Sequence, residues 1–326
     1  EEIVVTSQKR EENVQDAPLA ISAITGASLA KDRVLSINDL AQTMTGISFT
    51  ANSPQANEIN IRGVVNTRLT GPTADQSVST FVDDVYVARS GVLNTAFYDV
   101  ARIEVVRGPQ GVLLGKNVAG GAVNIISNKP SQEFSGAVNA SIGNYSLRQF
   151  NGFINGAITD DISGRISFQS INHSGYARDI LHNVNLENLD STQARFQLAY
   201  EPAGSGFNAL FIADYSQTSD DGVLRVGVES PTSPPGATIW SGTRKLISQR
   251  LGRTLGPREG FPVWPQFKGD AAPTPQSATR DNYSFILKLE QELSPSIKVT
   301  SNTGYRNNTA FTLYDQTSLG PDNGFN

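Results

Sequence analysis

The chain has 326 residues, a formal net charge of −5 and 17% charged residues, with no cysteine and two histidines. This composition excludes disulfides, thiol catalysis and cysteine-ligated metals, and two histidines are too few for a histidine-rich metal centre. The sequence has no lysine and arginine cluster and no stretch near the roughly 18 apolar residues of a membrane helix, so we expect no nucleic-acid partner and either a soluble protein or a processed membrane barrel.

The first part of the chain mixes helical and extended patterns. Thr25 is placed to cap a helix that runs through Val34, and Ser36 to cap a second helix over residues 37–44. Short strands bounded by Gly, Pro or Asn are predicted at 59–62, 81–87, 103–107 and 122–127. These elements predict a compact α+β domain over residues 9–130.

From about residue 135 the pattern has a period of two. Phe196 and Leu198 alternate with Arg195 and Gln197, as expected of a strand with one apolar and one polar face. Seven such strands are predicted, at about 138–142, 150–158, 165–172, 194–200, 207–217, 283–290 and 297–306. If the strands cross a membrane, the apolar set, with Phe285, Leu287 and Leu289, faces lipid, and the polar set, with Lys288 and Glu290, faces inward.

The connections between these strands alternate in length. Short turns are predicted at 160–164, 201–206 and 294–296, and long loops at about 174–190 and 218–280. An outer-membrane barrel has tight periplasmic turns and long external loops, whereas a soluble sandwich has no reason to keep its long loops at one end. The sequence therefore predicts antiparallel transmembrane β-barrel strands after the α+β domain, and a soluble sandwich is the alternative.

The segment 102–126 contains Arg-Ile-Glu-Val-Val-Arg-Gly-Pro-Gln-Gly, then Leu-Leu-Gly-Lys, and ends in Gly-Gly-Ala-Val-Asn-Ile-Ile. A phosphate-binding loop needs two glycines at fixed spacing and a Ser or Thr after the lysine. Gln110 occupies the first of these glycine positions and Asn117 replaces the hydroxyl residue. This segment is therefore not a nucleotide site.

The same segment resembles the plug signature of TonB-dependent receptors, the outer-membrane active transporters of Gram-negative bacteria. Ile61-Arg62-Gly63 matches an upstream element of the family, and 82–86 (Val-Asp-Asp-Val-Tyr) matches a strand in which Asp84 replaces the usual glycine. The resemblance implies that residues 9–130 form a plug and that 131–326 form the N-terminal portion of a transmembrane barrel.

The N-terminal residues resemble the TonB box of the family, which here comprises Glu2, Ile3, Val4, Val5 and Thr6. A β-branched segment at a chain end is suited to adding a strand to the sheet edge of a partner. We expect residues 1–8 to be flexible without TonB and to become a strand on it. The alternative is that these residues are the first strand of the plug sheet.

Arg62 and Arg107 resemble two plug arginines that pair with barrel glutamates in the family, and these glutamates would lie in later strands. The alternative is a solvated pair of arginines at strand ends. Asp83 and Asp84 could together suggest calcium, but adjacent side chains on a strand point to opposite faces. We expect no metal and no cofactor.

The predicted loop 218–280 holds eight of the sixteen prolines, both tryptophans, and eight basic residues against five acidic ones. Stiff backbone with exposed aromatic and arginine side chains is typical of a recognition surface. Candidate ligand-binding residues are Trp240, Arg244, Lys245, Arg250, Arg253 and Trp264. Contact with lipopolysaccharide is an equally weighted alternative for this loop.

Seven strands do not enclose the predicted plug. A domain of about 130 residues is roughly 35 Å across, and about 22 tilted strands give a wall roughly 44 Å across that can hold it. Single-chain bacterial barrels also have even strand numbers. We expect this chain to be the N-terminal part of a longer, 22-stranded receptor.

The resemblance implies TonB-dependent uptake of a scarce nutrient, such as a ferric siderophore or another metal chelate, across the outer membrane of a Gram-negative bacterium. An oligosaccharide or a cobalamin-type ligand is the alternative within the family, and a passive porin or a surface adhesin is the alternative outside it. The implied partners are TonB with its inner-membrane complex, outer-membrane lipid and lipopolysaccharide, and the small ligand. We expect no enzymatic activity.

Overall fold

The computed structural model describes residues 4–6, 12–53, 56–64, 75–88, 97–179, 184–221, 248–249, 252, 254 and 277–313. Within these ranges an α+β plug is followed by a large antiparallel sheet. In the same part of the chain, no helix is long and apolar enough to cross a membrane.

The described part of the plug holds short strands and three short helices. In chain order these are β1 (Val4–Val5), β2 (Glu12–Asn13), β3 (Ile21–Thr25), α1 (Gly26–Lys31), α2 (Ile37–Thr43), β4 (Ile47–Ser53), β5 (Ala56–Ile61), β6 (Val78–Val82), β7 (Val85–Val87), β8 (Val100–Arg107), α3 (Gly111–Leu114) and β9 (Gly121–Ser127).

Both predicted helix starts are confirmed. The Thr25 hydroxyl accepts a hydrogen bond from the Ser28 N–H at the start of α1. At α2, Ser36 and Asp39 form a reciprocal capping box, in which each side chain accepts from the other residue's backbone N–H. These caps satisfy N–H groups that have no partner inside the helix.

The centre of the plug is a five-stranded sheet in the order β3-β8-β9-β6-β7, in which only the β6–β9 pair is parallel. Every residue of β6 and β9 is buried, as expected of strands covered on both faces. Ile37 and Leu40 of α2 pack into the same apolar core as Ile103 and Val123.

The predicted single strand 81–87 is wrong, because the chain reverses in its middle. Asp83 and Asp84 have φ values of 50° and 64° and form the two-residue turn between β6 and β7. Positive φ at both positions is what a tight hairpin turn requires, which explains why a glycine usually stands at the second one. The two aspartates are turn residues, so the argument that they point to opposite faces of a strand does not apply.

The second part of the chain is a seven-stranded antiparallel sheet, called the wall below, in the order β10-β11-β12-β15-β16-β17-β18. Its strands are β10 (Ser135–Ile142), β11 (Arg148–Ala157), β12 (Ile162–His173), β15 (Leu189–Tyr200), β16 (Phe207–Asp220), β17 (Ser277–Ser294) and β18 (Ile297–Leu313). Strand length rises from 8 residues in β10 to 18 in β17. Among the described residues the wall ends at β10 and β18 and does not close.

The two faces of the wall have the predicted polarity. Phe285 and Leu287 are 46% and 41% exposed on the outer face, whereas Arg195 and Gln197 are 3% and 0% exposed against the plug. A barrel in lipid has apolar residues on its outer face and polar residues on its inner face, whereas a soluble sandwich has the reverse arrangement.

The long connections differ in detail from the prediction. The loop near 174–190 contains a small hairpin, β13 (Ala177–Asp179) with β14 (Val184–Leu186). The predicted loop 218–280 is too long at both ends, because β16 continues to Asp220 and β17 begins at Ser277. The Thr218 hydroxyl hydrogen-bonds Ser191 on the neighbouring strand, so that end is held in the wall.

Candidate functional site

The N-terminal strand lies against the plug rather than free. Val4 and Val5 pair antiparallel with Asn13 and Glu12, and the side chain of Val5 is fully buried. This two-stranded sheet is separate from the five-stranded sheet of the plug. Residues 4–6 are therefore docked on the plug, and the flexibility of residues 1–8 without TonB stays a prediction. Glu2 and Ile3 of the predicted TonB box lie outside the described residues.

A buried carboxylate holds the end of this strand. Glu104 accepts hydrogen bonds from the Thr6 N–H at 2.8 Å and from the Thr6 hydroxyl at 3.3 Å. The Arg102 side chain pairs with Glu104 at 2.8 Å and donates to the Thr6 hydroxyl at 3.1 Å. Arg102 and Glu104 are two residues apart on β8, so both side chains point to the face on which Thr6 lies.

The structure places the two predicted lock arginines at turns of the plug. Arg62 is exposed and forms a tight turn with Gly63, in which both residues have positive φ. Arg107 donates to the Ser22 hydroxyl at 2.6 Å and to the Thr45 carbonyl at 3.3 Å, contacts that stay within the plug. Their pairing with barrel glutamates remains a prediction.

The described contact between plug and wall centres on Tyr98 and Asp99. Asp99 has a positive φ of 50° and accepts two hydrogen bonds from Arg165 of β12, from Nε at 2.7 Å and Nη2 at 2.5 Å. Both side chains are 7% exposed, and the Arg165 guanidinium lies 3.8 Å from the centre of the Phe153 ring. A two-pronged arginine–carboxylate pair in a buried site fixes both position and orientation.

Tyr98 reaches the adjoining strands. Its hydroxyl donates to Asp214 of β16 at 3.3 Å, and its ring lies 4.8 Å from the Arg195 guanidinium. Arg195 pairs with Asp214 at 2.6 Å, and the Ser284 hydroxyl of β17 donates to the other oxygen of Asp214. Arg195, Asp214 and Ser284 are register partners on neighbouring strands, so one row of the wall receives the tyrosine.

Ionisation follows from these contacts. Burial raises the pKa of the Asp99 carboxyl, but hydrogen bonds from Arg165 and Asn128 outweigh that effect and hold its pKa below the usual value. Burial raises the pKa of the Tyr98 phenol well above its usual value. Asp99 is therefore an anion and Tyr98 a neutral hydrogen-bond donor at neutral pH.

Further contacts join the plug to the wall nearby. Lys288 of β17 pairs with Asp84 at 2.7 Å, and the Gln197 amide of β15 donates to the Asn128 carbonyl at 2.8 Å. A methyl group on Gly304 of β18 would lie 2.6 Å from a Val85 methyl carbon, so only glycine allows the β6–β7 hairpin this close.

A cleft of about 1030 Å³ lies between α1 and the first wall strands. Amide side chains of the inner wall face line it, among them Asn139, Gln149, Asn151 and Gln169. Apolar side chains, among them Leu29, Phe97 and Leu147, line the rest of the cleft. The cleft therefore offers both hydrogen-bonding amides and apolar surface.

The candidate ligand residues Trp240, Arg244, Lys245, Arg250, Arg253 and Trp264 lie outside the described residues. In the part of the chain that the structure describes, no group of three or more His, Asp or Glu residues is arranged to hold a metal ion.

Sequence reasoning missed the interface residues of the plug. Tyr98 and Asp99 carry no motif, and their partners are 66 or more residues away in sequence. The alternation of polar residues did identify Arg195, Gln197 and Lys288 as inward-facing. Charged residues on the inner face of a predicted strand indicate a contact with the plug, since a buried charge requires a partner.

Residues 13–122 match the profile of the TonB-dependent Receptor Plug Domain. Among curated proteins the chain is similar to the ferric-pyoverdine 358 receptor of Pseudomonas putida, with 26% identity over 205 residues, which cover 60% of this chain and 24% of that receptor. It is also similar to the vitamin B12 transporter of Vibrio cholerae, with 25% identity over 156 residues, 46% of this chain and 24% of the transporter.

Among solved structures, the ferric yersiniabactin uptake receptor of Yersinia pestis superposes with a TM-score of 0.69 and 18% identity. The superposition covers 91% of this chain and 42% of that receptor, and it shows a shared fold. The chain spans about a quarter of the length of the two curated relatives.

Proposed function

Because this chain carries the plug domain of the TonB-dependent receptors, followed by strands of their wall, we propose that it serves TonB-dependent active uptake of a ferric siderophore. The observation that carries this proposal is the plug seated on the polar face of a wall whose other face is apolar. The chain belongs in the outer membrane of a Gram-negative bacterium. A passive porin is disfavoured, because it has no use for a separate globular domain inside its pore.

The family consists of transport receptors, and we propose that this chain performs no catalytic step. Its charged residues at the plug–wall contact are engaged with one another, which suits a mechanical role. Contact with outer-membrane lipid is expected along the apolar face, and contact with lipopolysaccharide near the external loops remains part of the proposal.

TonB is the proposed partner, and it is proposed to bind residues 2–6, of which the structure describes Val4–Thr6. β2 occupies one edge of this segment, and Glu104 accepts the Thr6 N–H. We propose that TonB pairs along this same edge, which requires the N-terminal strand to leave β2 and Glu104.

Val4→Pro in the intact receptor tests this step, because proline removes a backbone donor from the strand. Uptake of an iron-loaded siderophore should be lost, while the amount of folded receptor in the membrane stays the same. Val4→Ile is the matched control, because it keeps the donor and the β-branched shape. Normal uptake by the Val4→Pro receptor would contradict the TonB-box assignment.

A ferric siderophore is proposed as the ligand because relatives include receptors named for ferric pyoverdine and ferric yersiniabactin. Cobalamin is the second candidate, because a vitamin B12 transporter is also similar. A strain that lacks the gene should lose uptake of one probe when iron-loaded pyoverdine, yersiniabactin, a catecholate and cobalamin are compared. Loss of cobalamin uptake alone would replace the siderophore proposal.

The basic and aromatic residues of the 218–280 segment are proposed to capture the ligand outside the membrane. Replacement of Arg244, Lys245, Arg250 and Arg253 by Ser should weaken binding of an anionic ferric chelate, and more so at low salt, where exposed charges are less screened. Equal affinity at low and high salt for both proteins would assign recognition to the plug or to other loops.

A further inference from the structure

The seven described wall strands face one side of the plug, and three segments of the plug contact them. The contacts arise from the β6–β7 turn, from the residues before β8 and from the residue after β9, and they reach five consecutive wall strands. The pairs are Asp99 with Arg165, Tyr98 with Asp214 and Arg195, Asn128 with Gln197, Asp84 with Lys288, and Val85 with Gly304.

These contacts resist separation. The Asp99–Arg165 pair and the Arg195 side chain are nearly free of solvent, and separating the plug there would leave buried charges without their partners. Val85 also packs closely against Gly304, where a side chain larger than glycine would overlap it. We do not expect contacts whose separation leaves buried charges unpaired at a part of the plug that has to move.

The polarity of the contacts separates them from the predicted arginine lock. Here the plug supplies the carboxylates of Asp84 and Asp99, and the wall supplies the cations Lys288 and Arg165. In the predicted lock the plug supplies Arg62 and Arg107 instead. The two attachments are therefore distinct in charge and in the plug residues that make them.

We infer that the plug face formed by Asp84–Val85, Tyr98–Asp99 and Asn128 stays attached to wall strands β12, β15, β16, β17 and β18 throughout transport. This inference rests on the proposed transport function. It makes Tyr98 and Asp99 positioning residues, which hold the plug in register with the wall.

A disulfide across this contact tests the inference directly. A Cβ built on Gly304 lies 3.4 Å from the Val85 Cβ, close to the roughly 3.5–4.5 Å between the Cβ atoms of a disulfide. Residues 1–326 contain no cysteine, so Val85→Cys with Gly304→Cys introduces one cysteine pair into this part of the receptor. Uptake of iron-loaded pyoverdine, or of the panel siderophore that the native receptor takes up, is measured for the intact receptor in cells, oxidised and reduced.

The oxidised receptor should take up the probe at the rate of the reduced one. If the reduced receptor transports the probe and the oxidised receptor does not, the inference is wrong and the proposed function is unaffected. Reduced and native receptors that both fail to transport any probe of the panel would instead overturn the proposed function. A second cross-link, Val4→Cys with Asn13→Cys, is the positive control, because it ties the N-terminal strand to β2 and should stop uptake.

A labelling experiment covers the case in which the cross-link does not form. Ser167 is 1% exposed and faces the plug beside Asp99, so Ser167→Cys reports whether this contact opens. It should stay unreacted with a small maleimide during uptake, while Asn144→Cys, on an exposed turn, reacts at once. Labelling of Ser167→Cys that begins only when the receptor transports would show that this face separates.

Discussion

The plug and the wall bury opposite kinds of side chain in their strands. In β9 of the plug every residue is buried, and the apolar side chains meet one another. In β15 of the wall Phe196 is 38% exposed while its neighbour Gln197 is fully buried. Burial therefore goes with apolar side chains in the plug and with polar side chains in the wall. In the plug, apolar side chains are buried away from water. In the wall, apolar side chains face lipid and polar side chains face the plug.

The largest effect is expected where the two regions meet. Asp99→Ala should lower the free energy of unfolding by about 3–5 kcal/mol, because it leaves the Arg165 guanidinium buried without its carboxylate. Chemical unfolding of the receptor in detergent measures this loss. Asp160→Ala, on an exposed turn, is the control and should be nearly neutral.

The same variant has a defined pH dependence. The pKa of Asp99 is lowered in the folded protein, so its contribution is present above the ordinary aspartate pKa of about 3.9 and is lost as the pH falls through the lower, folded value. The native and Asp99→Ala receptors should therefore converge in stability in strong acid. A constant difference down to that range would contradict the assigned ion pair.

The second effect tests the lipid-facing side. Phe285→Arg should cost about 2–4 kcal/mol, the penalty for a cation near the middle of a bilayer. Refolding into lipid vesicles, followed by the mobility of unheated receptor on gels, measures it, and Phe285→Leu is the matched control. A variant that inserts as well as the native receptor would show that this face does not meet lipid.

A smaller effect is expected at the closest steric contact. Gly304→Ala should cost about 1–3 kcal/mol, because the added methyl overlaps the Val85 side chain. Val85→Ala should recover part of the loss in the double variant. Additive losses in the two variants would mean that these residues do not press on one another.

The smallest effect lies wholly within the plug. Ser36→Ala removes the side-chain cap of α2 and should cost about 1 kcal/mol of unfolding free energy. Ser141→Ala removes a hydroxyl of the same kind from the exposed strand β10 and should have little effect. Equal losses in the two variants would contradict the role of the cap.

What could be predicted from the sequence depended on local periodicity. The alternation around Phe196 and Phe285 predicted the wall strands and their faces, and Thr25 and Ser36 marked the helix starts. The β6–β7 turn was missed because aspartates occupy positions where glycine is the usual signal. Asp99 and Arg165 could not be paired in advance, since a contact across 66 residues follows from the assembled fold and not from spacing.

For the candidate site too, local sequence patterns predicted some features and missed the long-range contacts. The N-terminal strand was identified by its β-branched residues at a chain end, but its docking was not, because Glu104 lies 98 residues from Thr6. The basic and aromatic residues around Trp240 stay a prediction.

The unequal strand lengths of the wall place its overhang at the end of the short turns. Strand β17 has 18 residues and β12 has 12. Ile162, at the start of β12, is linked by register through Tyr200 and Ala209 to Leu289, whereas β17 runs on to Ser294. The residues beyond Leu289 extend the β17–β18 hairpin by about 17 Å at about 3.4 Å per residue. A molecule that approaches the wall from the short-turn side therefore meets this hairpin first.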